Sequence, residues 1–320
     1  MASRPDLETG FGTLYIRPRS SGAAQRGTCD SPMAKVQSIL LGQSYGRCRQ
    51  YFLAQKGSNP SMHLTLVSSD RFTKTYDFRL SASAHDHMTG RIRVPAADGR
   101  FRTALLTVGI ETGREAIGLI QGQEDVVFMA VDYPFKGSWD FSGLAAIRTL
   151  GRLRSMATRT VPLLLHCLDW IFVQPFVDAE EVNVIAVSFG SFTGIPVAVI
   201  DERVKQLVVV QGGGGLSRVI AHNAKRWGAT ASGGLAGWLG GLFLAPFEPT
   251  RYIPHLSPRR LVMINGEGDA YFPRSSAEAL YQAAGEPKEI VWHTTAHVMP
   301  EEQQLVNELV REVAVRLYGE

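Results

Sequence analysis

The chain has 320 residues, of which 45% are hydrophobic and 20% charged, as in an ordinary soluble globular protein. Its net charge of +3 is too small to indicate a nucleic-acid or anionic-membrane partner, and neither is predicted. The longest apolar stretch, 233–247, is shorter than the roughly 20 residues of a spanning helix, and the N-terminus lacks a signal-peptide pattern, so we expect a cytoplasmic protein.

Residues 1–58 are rich in Arg, Ser, Gly and Gln, and their hydrophobic periodicity is weak. This composition predicts a loosely structured N-terminal extension. Residues 59–320 are predicted to form a single α/β domain. It begins with short alternating or β-branched runs, which predict strands over 63–67, 76–83 and 90–94.

Six apolar runs predict strands that are buried on both faces of a sheet. They cover, in chain order, 103–110, 126–131, 182–187, 204–210, 261–264 and 289–292. Helical patterns cover 141–173, where Pro162 interrupts or divides the helix, and 301–318. Strands that alternate with helices predict a mostly parallel central sheet with helices on both faces.

The segment between the fourth and fifth buried strands is long for a simple crossover. It opens with four glycines, Gly212 to Gly215, and contains helical pieces near 216–227 and 235–244. No Lys-Ser/Thr pair follows the glycines at the spacing of a phosphate-binding loop. We interpret 212–258 as a small helical cap over the C-terminal edge of the sheet, where doubly wound sheets bind ligands.

The third buried strand leads directly into Ser188, and a helix-compatible segment, 192–200, follows. A strand, a sharp turn carrying a serine and then a helix are the parts of a nucleophile elbow. Residues two before and two after such a serine crowd together, so small residues are needed, and Ala186 and Gly190 occupy these positions. The usual pattern has Gly at both, and Ala186 departs from it by one methyl group.

Ser191 is a weaker candidate nucleophile than Ser188. Bulky Phe189 and Thr193 would occupy the crowded positions on either side of it.

A serine hydroxyl needs a base, usually a histidine that a carboxylate holds in place. Glu267 and Asp269 follow the fifth buried strand, and His293 and His297 follow the sixth, so all lie toward the edge of the sheet that carries Ser188. We predict His297 as the base, because it lies in the loop with more reach, whereas His293 lies at the strand end.

Residues 76–318 resemble an α/β-hydrolase of the esterase and dienelactone-hydrolase-like branch. The order serine, acid, histidine along the chain is the one that this fold uses. Dienelactone hydrolases proper have a cysteine nucleophile, so Ser188 favours a serine esterase. The segments that carry the resemblance are Gly90-Arg-Ile-Arg-Val-Pro95, Ala186-Val-Ser-Phe-Gly190, Leu261-Val-Met-Ile-Asn-Gly-Glu-Gly-Asp269 and Glu289-Ile-Val-Trp-His-Thr-Thr-Ala-His297.

The resemblance implies the α/β-hydrolase fold, with the cap inserted after the sixth strand of that fold. It also implies a triad in which Ser188 is the nucleophile and His297 the base. By family position, Asp269 rather than Glu267 is the acid that orients the histidine.

An oxyanion hole is implied as well, with the backbone N–H groups of Phe189 and Ile110 as donors. In the corresponding loop the family commonly has His-Gly-x. Here the loop reads Val108-Gly109-Ile110, which keeps the glycine and lacks the histidine.

These features predict a serine hydrolase that cleaves a small-molecule carboxylic ester through an acyl-enzyme, without an organic cofactor. No metal is predicted, because Cys29, Cys48 and Cys167 have no metal-ligand spacing. Within the cap, Trp238, Leu242 and Phe243 are candidate substrate-binding residues for an apolar acyl or aromatic group, although they could equally hold the cap on the domain.

The same triad serves thioesterases, lactonases and acyltransferases, and the sequence does not separate these activities. A non-catalytic binding protein on a hydrolase scaffold is a further alternative, although such proteins usually lack a triad member.

Overall fold

The structure is a computed structural model that describes residues 44–57, 60–83, 86–135, 140, 142–143, 145–229 and 233–319, and the backbone of 14–15. Within this part of the chain, ten strands form one sheet. They are β1 Leu14–Tyr15, β2 Ser61–Ser69, β3 Thr73–Ser81, β4 His87–Pro95, β5 Phe101–Thr107, β6 Val126–Val131, β7 Val177–Val187, β8 Gln206–Val210, β9 Arg260–Gly268 and β10 Lys288–Ala296.

Across the sheet the strand order is β1-β2-β3-β4-β6-β5-β7-β8-β9-β10. The strands from β6 to β10 in this order run parallel to one another. The first four strands pair antiparallel, as does β4 with β6. This arrangement confirms the predicted mostly parallel sheet, to which an antiparallel meander is added at one edge.

Helices cover both faces of the sheet, as predicted. Successive side chains of a strand point to opposite faces, so Val184 and Ala186 of β7 lie in one core and Ile185 lies in the other. The helices of the described chain are α1 Tyr45–Lys56, α2 Ala116–Leu119, α3 Ala145–Phe172, α4 Ser191–Ile200, α5 Leu216–Asn223, α6 Gly233–Phe243, α7 Pro249–Tyr252, α8 Arg274–Ala283 and α9 Gln303–Tyr318. None of them is long and apolar enough to cross a membrane.

The prediction of a loosely structured extension over 1–58 is wrong for α1. Cys48 and Phe52 of this helix are buried in the main core, and Ser44 caps its first turn by accepting a hydrogen bond from the N–H of Arg47. Lys56 at its C-terminal end forms an ion pair with Asp169 of α3. Burial of two side chains and this ion pair attach α1 to the domain. Residues 1–13 and 16–43 of the predicted extension lie outside the described residues.

Pro162 does not divide the long helix α3, which is continuous from Ala145 to Phe172. Proline removes one backbone hydrogen bond from a helix interior. Residues on both sides of it, from Val161 to Leu168, are buried in the main core, and this packing holds the helix together across the missing bond.

The cap is smaller than the predicted range 212–258. Phe247, Tyr252 and Leu256 are 2% exposed or less and lie in the main core, not over the edge of the sheet. Apart from Leu216 at the start of α5, the helices α5 and α6 contribute no buried residue to the main core. Apolar residues that close a cap and apolar residues that fill a core have the same pattern in the sequence, which explains the wrong boundary.

Candidate active site

Ser188 lies at the end of β7, where the strand turns into a short 3-10 segment that continues as α4. Val187 is extended, whereas Ser188 has φ of +53° in the left-handed region. A non-glycine residue in this region carries backbone strain, which costs about 1–3 kcal/mol and persists only where the surroundings enforce it. The strained turn places the serine hydroxyl at the edge of the sheet, as a nucleophile elbow requires.

The small residues around Ser188 are required by close contacts with β5. A Cβ added to Gly190 would lie 2.0 Å from the carbonyl oxygen of Thr107, so only glycine fits at this position. The Ala186 methyl group is accommodated because the residue that faces it is Gly194, where an added Cβ would lie 2.8 Å from that methyl carbon. The departure from glycine at position 186 is thus matched by a glycine on α4.

The structure brings the three predicted triad residues into one hydrogen-bonded chain. Ser188 Oγ lies 2.8 Å from His297 Nε2, and His297 Nδ1 lies 2.8 Å from Asp269 Oδ2. With Nδ1–H donating to the carboxylate, Nε2 is left as the acceptor for the serine hydroxyl. The arrangement can therefore take a proton from Ser188 and stabilise the resulting imidazolium.

The loop after β9 fixes the carboxylate of Asp269. Its Oδ1 accepts hydrogen bonds from the backbone N–H groups of Tyr271 at 2.8 Å and Phe272 at 2.9 Å. The side chains of Asp269 and His297 are only 3% and 8% exposed. The Tyr271 ring lies 4.8 Å from the His297 ring, so the imidazole is held between a fixed carboxylate and an aromatic wall.

The competing residues from the sequence are placed elsewhere. Glu267 forms an exposed ion pair with Arg274, 3.4 Å apart. His293 lies within β10 beside Gly266, four residues before His297. Ser191 is buried, and its Oγ donates a 2.8 Å hydrogen bond to the carbonyl oxygen of Ser188.

Gln211 is a residue of this site that sequence reasoning missed. It follows β8 with φ of +47° and is fully buried. Its side-chain Nε2 donates to the carbonyl oxygen of Ala296 at 2.8 Å, and its Oε1 accepts from the N–H of Val298. One amide group thus holds the backbone on both sides of His297. The partners are 85 and 87 residues away, so no local pattern could have indicated this contact.

Two cavities meet at Ser188. The larger, of about 570 Å³, lies between the sheet and α9. The smaller, of about 350 Å³, lies between α3, α4 and α5. Glu111, Ser188, Phe189 and Tyr271 line both, so Ser188 borders both cavities.

The two predicted oxyanion donors lie beside the serine. Phe189 follows Ser188 directly, and both Phe189 and Ile110 line the larger cavity together with it. The N-terminal end of α4 also lies here, and the positive end of a helix dipole favours a developing negative charge. Both residues thus line the same cavity as Ser188, and their role as oxyanion donors stays a prediction.

Asp132 anchors the turn that directly follows the loop of Ile110. Asp132 Oδ1 accepts a hydrogen bond from the backbone N–H of Arg114 at 2.8 Å. Asp132 Oδ2 accepts hydrogen bonds from the Arg114 Nε–H and the Thr89 hydroxyl, each at 2.8 Å. Gly113 has φ of +45°, and a Cβ there would lie 2.5 Å from Asp132 Oδ1. Burial acts to raise the pKa of Asp132, but the hydrogen bonds from Arg114 and Thr89 outweigh it and lower the pKa overall.

The predicted substrate-binding residues of the cap do not line either cavity at Ser188. Trp238 and Leu242 are 63% and 52% exposed, and Phe243 is half-buried, with Arg154 over its ring. Glycines on the inner face of α6 explain this orientation, because a Cβ at Gly237, for example, would lie 2.3 Å from the carbonyl oxygen of Ser217 on α5. The glycine face packs on α5, and the bulky face points outward.

Within the described residues, no group of three or more His, Cys, Asp or Glu side chains could hold a metal ion. Cys48 and Cys167 are both buried in the main core.

Comparison with known proteins gives solved structures with the same fold. No protein-family profile and no curated protein matches the chain. An acetyl xylan esterase from a Thermoanaerobacterium species is 15% identical, with 87% of this chain and 93% of that chain covered and a TM-score of 0.61. A second acetyl xylan esterase, from a Paenibacillus species, is 16% identical, with 88% and 99% covered and a TM-score of 0.61.

An α/β-hydrolase from a Penicillium species is 14% identical, with 78% of this chain and 99% of that chain covered and a TM-score of 0.54. These similarities establish that the chain has the α/β-hydrolase fold, as predicted. The turn of Ser188 after β7, the loop of Asp269 after β9 and the loop of His297 after β10 lie on that fold.

Proposed function

We propose that the protein is a serine hydrolase that cleaves carboxylic esters through an acyl-enzyme. The observation that carries the proposal is the chain of 2.8 Å contacts from Ser188 Oγ through His297 to Asp269. A hydrogen-bonded arrangement of this kind activates a serine hydroxyl that is otherwise a poor nucleophile. Two of the proteins with this fold are acetyl xylan esterases, which supports ester hydrolysis as the reaction class.

In the first half of the reaction, Ser188 Oγ attacks the ester carbonyl carbon and His297 Nε2 takes its proton. The N–H groups of Phe189 and Ile110 stabilise the negative oxygen of the tetrahedral intermediate. Asp269 keeps the imidazolium oriented, and His297 returns the proton to the leaving alcohol as the C–O bond breaks. In the second half, water attacks the acyl-enzyme with His297 again as the base, and the acid is released.

Hydrolysis of p-nitrophenyl butyrate tests this mechanism. We expect Ser188→Ala and His297→Ala each to lower kcat by a factor on the order of 10⁶, while circular dichroism remains unchanged. Ser191→Ala serves as the matched control, because it removes the neighbouring hydroxyl and one hydrogen bond of about 1 kcal/mol, and it should remain within about tenfold of the wild type. Full activity of Ser188→Ala would refute the proposal.

The thioesterase, lactonase and acyltransferase alternatives use the same three residues in the same roles. Parallel assays with a thioester and a lactone, and with an added alcohol as acyl acceptor, compare these activities on one enzyme. The binding-protein alternative predicts that none of these substrates turns over.

A further inference from the structure

The larger cavity at Ser188 extends far beyond the space that a small acyl group needs. One wall is the face of the sheet, where alternate residues Ile185 and Val187 of β7 point into it. The opposite wall is α9, through Leu309, Val313 and Leu317. Both walls are apolar along their length.

The depth of the cavity follows from the register of the strands. Leu317 lines the end of the cavity that is far from Ser188, and its carbonyl oxygen accepts a hydrogen bond from Gln206 Nε2. Gln206 of β8 pairs with Asn183 of β7. Ser188 lies five residues after Asn183, directly beyond the end of β7. At about 3.3 Å per residue, the cavity reaches about 16 Å from the serine hydroxyl. An acetyl group would fill only its mouth.

The charges of the lining indicate what the deep end accepts. The charged residues of the lining are Glu111, Glu115 and Glu301, which come from the loops near Ser188. No lysine or arginine of the described chain lines the cavity, so an anionic group at its deep end would have no cationic partner. An uncharged chain therefore fits the cavity, and its apolar walls favour a hydrocarbon.

We infer that this protein acts on esters that carry a long, uncharged, apolar chain, which lies in the cavity between the sheet and α9. The inference rests on the proposed ester hydrolysis at Ser188. The chain belongs either to the acid or to the alcohol of the ester. The second apolar cavity, lined by Leu153, Phe192 and Phe272 among others, receives the opposite side of the ester bond.

Two substrate series separate the two sources of the chain. The first varies the acid, as p-nitrophenyl esters from acetate to decanoate; the second varies the alcohol, from ethyl acetate to decyl acetate. Each methylene that becomes buried should raise kcat/KM about fourfold until the cavity is filled. We expect at least a tenfold preference for the ten-carbon member over the four-carbon member in one series.

Ala314→Phe tests whether the chain lies in this cavity. Ala314 lines the cavity, is 5% exposed and lies eleven residues into α9, about 16 Å from its start. A phenyl group there should lower the ratio of kcat/KM between the ten-carbon and the four-carbon ester at least tenfold. Val315→Phe adds the same ring on the outer face of the helix, where Val315 is 47% exposed, and should leave the chain-length profile unchanged. Ala314→Leu replaces Ala314→Phe if the larger side chain prevents folding.

Binding of decan-1-ol to Ser188→Ala, measured by calorimetry, makes the test independent of catalysis. We expect decan-1-ol to bind tighter than butan-1-ol and Ala314→Phe to weaken this binding. A preference for the shortest ester in both series, or a profile that Ala314→Phe leaves unchanged, would overturn the inference while Ser188-dependent hydrolysis remains. If no ester is hydrolysed, the proposed function fails, and the decan-1-ol measurement still decides whether the cavity binds a long chain.

Discussion

The contact between Gln211 and the loop of His297 gives a prediction about a residue that takes no part in the chemistry. The side-chain amide of Gln211 donates to Ala296 and accepts from Val298, the two neighbours of His297. Gln211→Met keeps the length of the side chain and the left-handed backbone but removes both hydrogen bonds. We expect the imidazole to lose its fixed position relative to Ser188 Oγ.

The size of the effect follows from the two hydrogen bonds that the substitution removes. Each contributes about 0.5–1.5 kcal/mol, because Ala296 and Val298 are only partly buried at these bonds, so the free energy of unfolding should fall by about 1–3 kcal/mol. A displacement of about 1 Å in a reacting group lowers a rate by about a hundredfold. The two hydrogen bonds hold the backbone on either side of the base, and Gln211 itself does not line the cavity, so kcat should fall by about ten- to a hundredfold with little change in KM.

The assay is the hydrolysis of p-nitrophenyl acetate, with thermal unfolding measured on the same samples. Gln206→Met is the matched control: Gln206 is buried at the start of β8, the strand that ends just before Gln211, but its hydrogen bond goes to Leu317, away from His297. A kcat of Gln211→Met within twofold of that of Gln206→Met would refute a positioning role. A parallel rise in KM would indicate a general loss of structure instead.

Three further predictions concern the elements that support the site. Gly190→Ala should destabilise the fold by about 1–3 kcal/mol and lower kcat, because its methyl group would overlap Thr107. Gly118→Ala is the control, because no atom lies within 4 Å of the added carbon. In the same melting and rate measurements, Gly118→Ala should change neither the stability nor kcat. Asp132→Asn weakens the hydrogen bonds to Arg114 that hold the loop of Ile110, and it should therefore lower kcat. An unchanged kcat with a lowered melting temperature would show that other contacts hold this loop. The folded-state pKa of Asp132 is lowered, so its charge stabilises the fold above its ordinary pKa of 3.8, and this stabilisation is lost as the pH falls through the lower folded value. Denaturant unfolding measures the free energy of unfolding at pH 6 and at pH 3. Between these pH values it should fall less for Asp132→Asn than for the wild type. An equal fall would contradict the lowered folded-state pKa of Asp132.

The residues of the candidate triad could be predicted from the sequence because each follows a strongly apolar strand. The carboxyl ends of parallel strands lie at one edge of the sheet, so chain order and strand pattern place Ser188, Asp269 and His297 together. The crowding around Ser188 is also a local property, and Gly190 shows it in the structure.

Features that depend on long-range packing could not be predicted in this way. The helix α1 has only Cys48 and Phe52 buried, too few to give a clear periodic pattern. The glycine face of α6 determines that Trp238 points to solvent, but this face is recognisable only once α5 is placed against it. Likewise, the cavity beside α9 depends on how far the helix lies from the sheet, which its sequence period does not determine.

Covalent labelling is a direct test of Ser188 as the nucleophile. A fluorophosphonate reacts with an activated serine hydroxyl and gives a stable adduct that mass spectrometry locates on a peptide. We expect one adduct, on the peptide that contains Ser188, and none in Ser188→Ala under the same conditions. No adduct on the folded wild type, or an adduct on another serine, would contradict it.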